Sequence, residues 1–465
     1  VMEALTLFLA AIAFELGLFA AVVFALFGID DVAVDTLYIA GLADPVRAAP
    51  DPASPLQRDF ALFIPAWAES RVIGAMLDHC LLAWPSPRLI VYVGVYANDF
   101  ATMQAVTQRV ARDRRVRMVV NERPGPTTKG DCLNTLWRRF RQDVAQGRAR
   151  KGAILIHDAE DMVDPAALPL LDQSLRTADF VQLPVIPLMG RGNHWIRRHY
   201  CDEFAEAHGK ELAIRSALGA PLPTAGVGCA FRVDVLDQLA GRDGPFPADS
   251  LTEDYELGMR LTAIGGRADF VRAVAADGRL IASRAYFPER IEAAVRQKTR
   301  WLRGNALEGW RRIGWVKPPG ASLARSIVSC WMLWRDRRAL LAAVATLAAY
   351  TAMFAGLAAF ALGAMGGTQV LIGGPLAWLL ASFNLVLLVW RLAMRGWFTG
   401  RVYGWQQGCM AVFRQPVSNV ILVMTAWRAL LGHWRGLGGQ PLVWDKTTHH
   451  FPDWPATVSL ATDRR

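Results

Sequence analysis

Three carboxylates crowd the stretch His157-Asp158-Ala159-Glu160-Asp161, directly after the apolar run 153–157. An oxygen-rich turn at a strand's end suits a hard divalent cation, Mg2+ or Mn2+. Asp158, Glu160 and Asp161 are its candidate ligands, with the choice between the last two open. A cation there could bridge the oxygens of a diphosphate and steady it as a leaving group. Taken alone, the stretch reads as readily as a solvated acidic turn. A second group, Thr252-Glu253-Asp254, opens a helical stretch that ends at a glycine pair. Asp254 could serve there as a general base toward a hydroxyl. Thr252 as N-cap, with acids suiting the helix dipole, explains the same residues without catalysis. A third group is Gln297-Lys298-Thr299-Arg300-Trp301, inside the basic segment 290–312. Arg300 could contact a diphosphate and Trp301 could offer its indole face to a sugar ring. The competing reading is an amphipathic helix on a membrane surface, anchored by Trp301, Trp310 and Trp315.

These groups need a scaffold. The runs 60–65, 89–95, 116–121 and 153–157 are apolar and β-rich, and a polar turn and a helical pattern follow each. That alternation predicts a doubly wound α/β sheet, which binds ligands at the carboxyl ends of its strands. The domain so predicted covers 59–318. Apolar runs flank it. Residues 5–27 are long enough to cross a bilayer, which makes 1–30 an uncleaved anchor with its N-terminus outside and 31–58 a linker. Glu15, costly in lipid, is expected to face another helix. Beyond the domain, 319–432 holds two further spans, at about 339–362 and 370–394. The run 409–431, broken by Arg414, Pro416, Asn419 and Arg428, is expected to be interfacial or re-entrant. Residues 433–465 form a cytoplasmic tail.

Composition narrows the field. The 465 residues carry a net charge of +10 and a mean hydropathy of +0.21. The basic residues cluster beside the apolar runs, as in Arg335-Asp336-Arg337-Arg338, which suits cytoplasmic flanks and anionic lipid heads. No groove-reading motif accompanies them, so nucleic acid is not an expected partner. Six cysteines without a C-x-x-C pair read as reduced thiols, most of them buried.

In their order along the chain the motifs resemble a known family. Pro65-Ala66-Trp67-Ala68-Glu69, Lys129-Gly130-Asp131-Cys132-Leu133-Asn134, Asp158 to Asp161, Thr252-Glu253-Asp254 and Gln297-x-x-Arg300-Trp301 resemble a membrane-bound family-2 glycosyltransferase, more distantly the cellulose-synthase-like enzymes. The tail Gly438 to Thr447 and the early Gly28-Ile29-Asp30-Asp31 resemble the bacteriophage adsorption protein B group. The resemblance implies a GT-A (Rossmann-like) domain with transmembrane helices at both ends, and inverting transfer from a UDP-sugar. It implies that Pro65, Ala66, Glu69 and Lys129 bind the nucleotide-sugar, with Asp99 the candidate for a nucleoside-contacting aspartate. Asp158, Glu160 and Asp161 would hold Mg2+ or Mn2+, with Asp158 also at the diphosphate. Asp254 would be the catalytic base. Gln297 and Arg300 would bind the diphosphate, and Gly228, Glu253 and Trp301 would border the acceptor. The implied partners are a saccharide or lipid-linked acceptor, membrane lipids and an export protein. The implied setting is a bacterial inner membrane with the catalytic domain in the cytoplasm. The alternatives are single transfer to a lipid carrier, or a non-catalytic scaffold in phage adsorption.

Overall fold

A computed structural model describes residues 2–192, 194–366, 373–436 and 450–452. The tail motif at 438–447 and the start of the span expected at 370 lie outside them. The soluble domain is built on seven strands: β1 (Phe60–Pro65), β2 (Leu89–Val95), β3 (Val116–Val120), β4 (Ala153–Ile156), β5 (Phe180–Gln182), β6 (Cys229–Arg232) and β7 (Ala268–Phe270). They lie side by side in the order β3-β2-β1-β4-β6-β5-β7. β1 (FALFIP) is apolar throughout because helices cover both of its faces. The sheet is not wholly parallel: β6 runs antiparallel to β4 and β5. β3 and β4 end one residue before the predicted limits, at Val120 and Ile156.

The first helix spans Met2–Ile39, so 31–39 are helical and not linker. Polar side chains there are held by partners distant in sequence. Asp30 and Asp31 pair with Arg335 and Arg338, and Asp31 also with Arg391. Asp35 pairs with Lys210 and accepts from Trp390 Nε1 at 2.7 Å. Glu15 departs from expectation and is exposed. The buried seam of this helix is Ala10, Ala13 and Ala20, against a seam of Ala348, Ala352, Ala355 and Ala359 on the helix Ala339–Gly366. Small residues let two apolar helices approach closely, and Glu15 lies off that seam.

Among the described residues four helices are long and apolar enough to cross a membrane: Met2–Ile39, Ala339–Gly366, Pro375–Tyr403 and Trp405–Arg435. The last differs from the re-entrant expectation, being one continuous helix that retains Pro416 in its interior. Arg414, which had read as an interruption, forks onto both oxygens of Asp202 at 2.6 and 2.7 Å with both side chains buried. Asp202 belongs to the helix Trp195–Glu206 of the α/β domain. Ile421 likewise packs with Tyr200, Ala294 and Val295. The chain then returns to the soluble body, where Phe451 sets its ring 5.9 Å from that of His79.

Candidate active site

A cavity of about 1090 Å³ opens at the carboxyl ends of β1 and β4. Of the residues singled out in sequence, Pro65, Glu69, Lys129, Asp158, Glu160, Asp161, Glu253, Asp254, Gln297, Arg300 and Trp301 line it. Ala66, Asp99 and Gly228 are not among the lining residues. Ala66 is fully buried and its N–H donates to Gly94 O at 2.8 Å, prolonging the β1–β2 ladder. Asp99 caps the helix Phe100–Val110, and its other oxygen accepts from Ala68 N–H at 2.6 Å. It thereby holds the loop after β1, where Ala68 has φ +53°. The carbonyl of Gly228 accepts from Leu183 N–H at 3.0 Å, at the back of the cleft wall.

Lys129 is the first residue of the helix Lys129–Ala145, whose N-cap Thr128 accepts from Asp131 N–H at 3.2 Å. Its ammonium lies 2.6 Å from Asp158 Oδ1 and 4.0 Å from Glu253, and donates to Gly226 O at 3.3 Å. Burial alone would depress this lysine, but Asp158, Glu253 and Asp254 outweigh that, and its pKa is raised. The carboxylates bear the converse strain. Burial first, then repulsion from Asp254, pushes Glu253 up to about 7 against the pull of Lys129. Burial raises Asp254 also. Three acids draw on Lys129, and Arg300 acts as a second, weaker cation on Glu253 and Asp254.

Asp254 is the second residue of the helix Glu253–Ala263, and its Oδ1 accepts from Tyr255 N–H at 2.7 Å. Thr252 occupies the N-cap position, but its side chain makes no capping bond. It is packed instead against Gly304, where an added Cβ would come within 2.4 Å of Thr252 Oγ1. Gly226 gives Asp254 its room: its φ is +71°, and an added Cβ would stand 2.7 Å from Asp254 Oδ2. The two left-handed glycines, 226 and 228, keep the chain out of extended geometry until β6 begins at Cys229.

Asp161 is engaged in the turn. Its Oδ2 lies 2.8 Å from His157 Nδ1 and accepts from Asp158 N–H at 3.1 Å. Asp158 and Glu160 are half-buried at the cavity. Among the described residues no group of three or more His, Cys, Asp and Glu has the arrangement of a self-sufficient metal centre. Two carboxylates beside surplus negative charge do match a cation that completes its shell with phosphate oxygens.

On the opposite wall, the helix Ile291–Leu302 and the π-helical turn Arg303–Glu308 present Gln297, Arg300, Trp301 and Asn305. Trp301 stands in an aromatic group with Tyr200, Phe204 and Phe287, ring centroids 6.3 to 6.5 Å away. The side-chain oxygens of Gln297 and Asn305 are buried and accept no hydrogen bond within the protein. Tyr286, Arg296, Asn305 and His450 line the cavity without having been singled out in sequence. For Asn305 the only available signal was its spacing of eight from Gln297 along a helical stretch, which a π-helical turn displaces.

The sheet order and the reversed strand are those of a GT-A glycosyltransferase fold. The profile of the glycosyltransferase-like family 2 matches residues 57–304, and the chain belongs to that family. It is 34% identical over 421 residues to bacteriophage adsorption protein B of Escherichia coli K12, and equally so to bacteriophage N4 adsorption protein B of Escherichia coli O157:H7. Each match covers 86% of this chain and 55% of the relative, so the chain spans about half the length of the curated relatives it matches. Among solved structures, a mannosyltransferase from Pyrobaculum calidifontis, in complex with GDP-mannose and Mn2+, is similar with a TM-score of 0.50 at 19% identity. That match covers 93% of this chain and 99% of the other.

Proposed function

We propose that this chain transfers a sugar, with inversion, from a nucleoside-diphosphate sugar to a saccharide being extended at a bacterial inner membrane. The observation that carries the reading is the meeting of Lys129, Asp158 and the pair Glu253-Asp254, from three separate chain segments, around one cavity. Asp254 takes the proton of the acceptor hydroxyl, and that oxygen attacks the anomeric carbon as the diphosphate departs. Lys129 and Arg300 offset the charge on the departing diphosphate. Asp158 and Glu160 would hold Mg2+ or Mn2+, which when bound supplies Lewis-acid stabilisation of the diphosphate. Asp161 supports that turn from behind. Pro65 and Glu69 border the nucleoside, with Ala66 beneath them and Asp99 shaping their loop. Gln297 joins Arg300 at the diphosphate, Glu253 and Trp301 border the acceptor, and Gly228 backs its wall. The donor is a UDP-sugar, hexosyl or N-acetylhexosaminyl; the GDP-mannose of the Pyrobaculum structure makes guanosine donors the first comparison.

The membrane arrangement follows from where the helices bind the soluble body. Basic residues at the feet of the helices Ala339–Gly366 and Pro375–Tyr403, among them Arg335, Arg338 and Arg391, keep the domain on the cytoplasmic side. Phe451 packs on the same side, beside His79, and Arg414 is locked to Asp202. Both contacts favour two crossings after the domain, with Trp405–Gly436 along the interface. So small a bundle calls for a partner in export. The test is nucleoside-diphosphate release by the purified full chain, with UDP- and GDP-sugars, with and without Mn2+. Asp158→Asn and Asp254→Asn are each expected to lower it about 100-fold or more. Equal rates in all three proteins would leave a non-catalytic scaffold as the better account.

A further inference from the structure

We propose that Asp336 and Arg215 are positioning residues for the Asp254 carboxylate, so that the helix at the foot of the membrane bundle sets the geometry of the base. The proposal rests on the reading of Asp254 given above. Tyr255, the residue after Asp254, is 5% exposed, and its hydroxyl donates to Asp336 Oδ2 at 2.8 Å. Asp336 stands near the end of the helix Leu323–Arg337, which leads into the spanning helix Ala339–Gly366. Arg215, buried to the same degree as Tyr255, donates to both of its oxygens at 2.7 and 2.9 Å. The next side chain, Arg337, lies between Trp310 and Trp315, at 5.0 and 4.4 Å from their ring centroids. Arg335 and Arg338, within a turn of Asp336, hold Asp30 and Asp31 of the first helix. Asp336 therefore has no slack of its own.

The link to chemistry is short. The peptide N–H of Tyr255 binds Asp254 Oδ1, so the tethered residue is the one whose backbone orients the base. Glu256 is bonded to Arg312, which also holds Asp249, and this gives the same helical turn a second attachment. With both in place the first turn of the helix cannot rotate about its axis. A rotation of roughly 15° would carry a carboxylate about 5 Å from the axis through more than 1 Å, and a displacement of that size can cost about 100-fold in rate. The packing of Tyr255 and Met259 against Leu333 does not depend on the phenolic hydroxyl. Removing that hydroxyl therefore tests the tether and leaves the packing in place.

The experiment compares Tyr255→Phe, Asp336→Asn, the double variant and Asp254→Asn in the full chain, using the nucleotide sugar that the wild type turns over. Each tether variant is expected to lower kcat about 10- to 100-fold, with donor and acceptor KM, and affinity for UDP or GDP alone, within about twofold. The double variant should be no slower than the worse single one, because Tyr255→Phe breaks and Asp336→Asn weakens the same tether. Unchanged kcat in Tyr255→Phe, additive losses in the double variant, or a raised acceptor KM with kcat retained would each overturn the proposal. Should Asp336→Asn fail to fold, Tyr255→Phe decides alone. An active Asp254→Asn removes the base reading itself, whereas an inactive Asp254→Asn beside an unaffected Tyr255→Phe removes only the tether.

Discussion

Two of the places where this protein sets carboxylates beside cations balance charge differently. In the cleft, Asp158, Glu253 and Asp254 share Lys129, and Glu253 is pushed up to about 7. At the seam between the α/β domain and the last long helix, Asp202 takes a two-point fork from Arg414, which also donates to Gln407 O at 3.0 Å, with Thr399 at 3.4 Å from Asp202. The Arg414–Asp202 pair is matched within the protein. The cleft is not, and its excess negative charge is what a bound cation would relieve. Removing a charge should therefore damage folding at the seam and chemistry in the cleft.

The largest effect is expected at the seam. Asp202→Asn leaves the Arg414 charge buried and unpaired, which costs about 3 to 5 kcal/mol. Thermal unfolding should register that loss, while kcat per folded molecule stays near wild type. A large fall in kcat with unfolding unchanged would abolish the distinction. Next comes Gly226→Ala, whose Cβ would meet Asp254 Oδ2 at 2.7 Å on a backbone with φ +71°. It should lower kcat about 10- to 100-fold, against a folding cost of about 1 to 2 kcal/mol; full activity would mean that the base does not occupy this place. The smallest effect is a pH dependence of the metal-free protein. Because folding raises Glu253 from 4.5 to about 7, the folded state holds a proton that the unfolded chain has lost within that window. Stability therefore falls as pH climbs from 4.5 to 7, by on the order of 2 kcal/mol. Unfolding midpoints measured across that range in EDTA should show the slope in the wild type and a shallower one in Glu253→Gln. Identical slopes would mean that another group is responsible.

The cleft was largely legible in the sequence and the seam was not, for a physical reason. Asp158, Asp254 and Arg300 belong to local patterns whose placement follows from the rule that α/β sheets bind ligands at the carboxyl ends of their strands. Arg414 and Asp202 are 212 residues apart, and neither position signals the other. Read alone, Arg414 looked like a fault in an apolar run. Asp30 and Asp31 were legible only as a resemblance, because their arginines lie some 300 residues onward. Within the cleft, the pattern of acids at 158–161 could not say which of them turns inward. That depends on His157, whose ring engages Asp161.

The antiparallel course of β6 has a consequence for how this scaffold can vary. Cys229 stands opposite Ile156, so the chain entering β6 arrives at the edge from which β4 departs. The whole excursion between β5 and β6, residues 183–228, is thus delivered to the mouth of the cleft, where it contributes Val185, Arg197, Phe204 and His208 to the wall. Length and composition of that excursion can drift while β1 to β4 keep their register. One half of the cleft can be rebuilt for a different acceptor while the turn at Asp158 stays as it is.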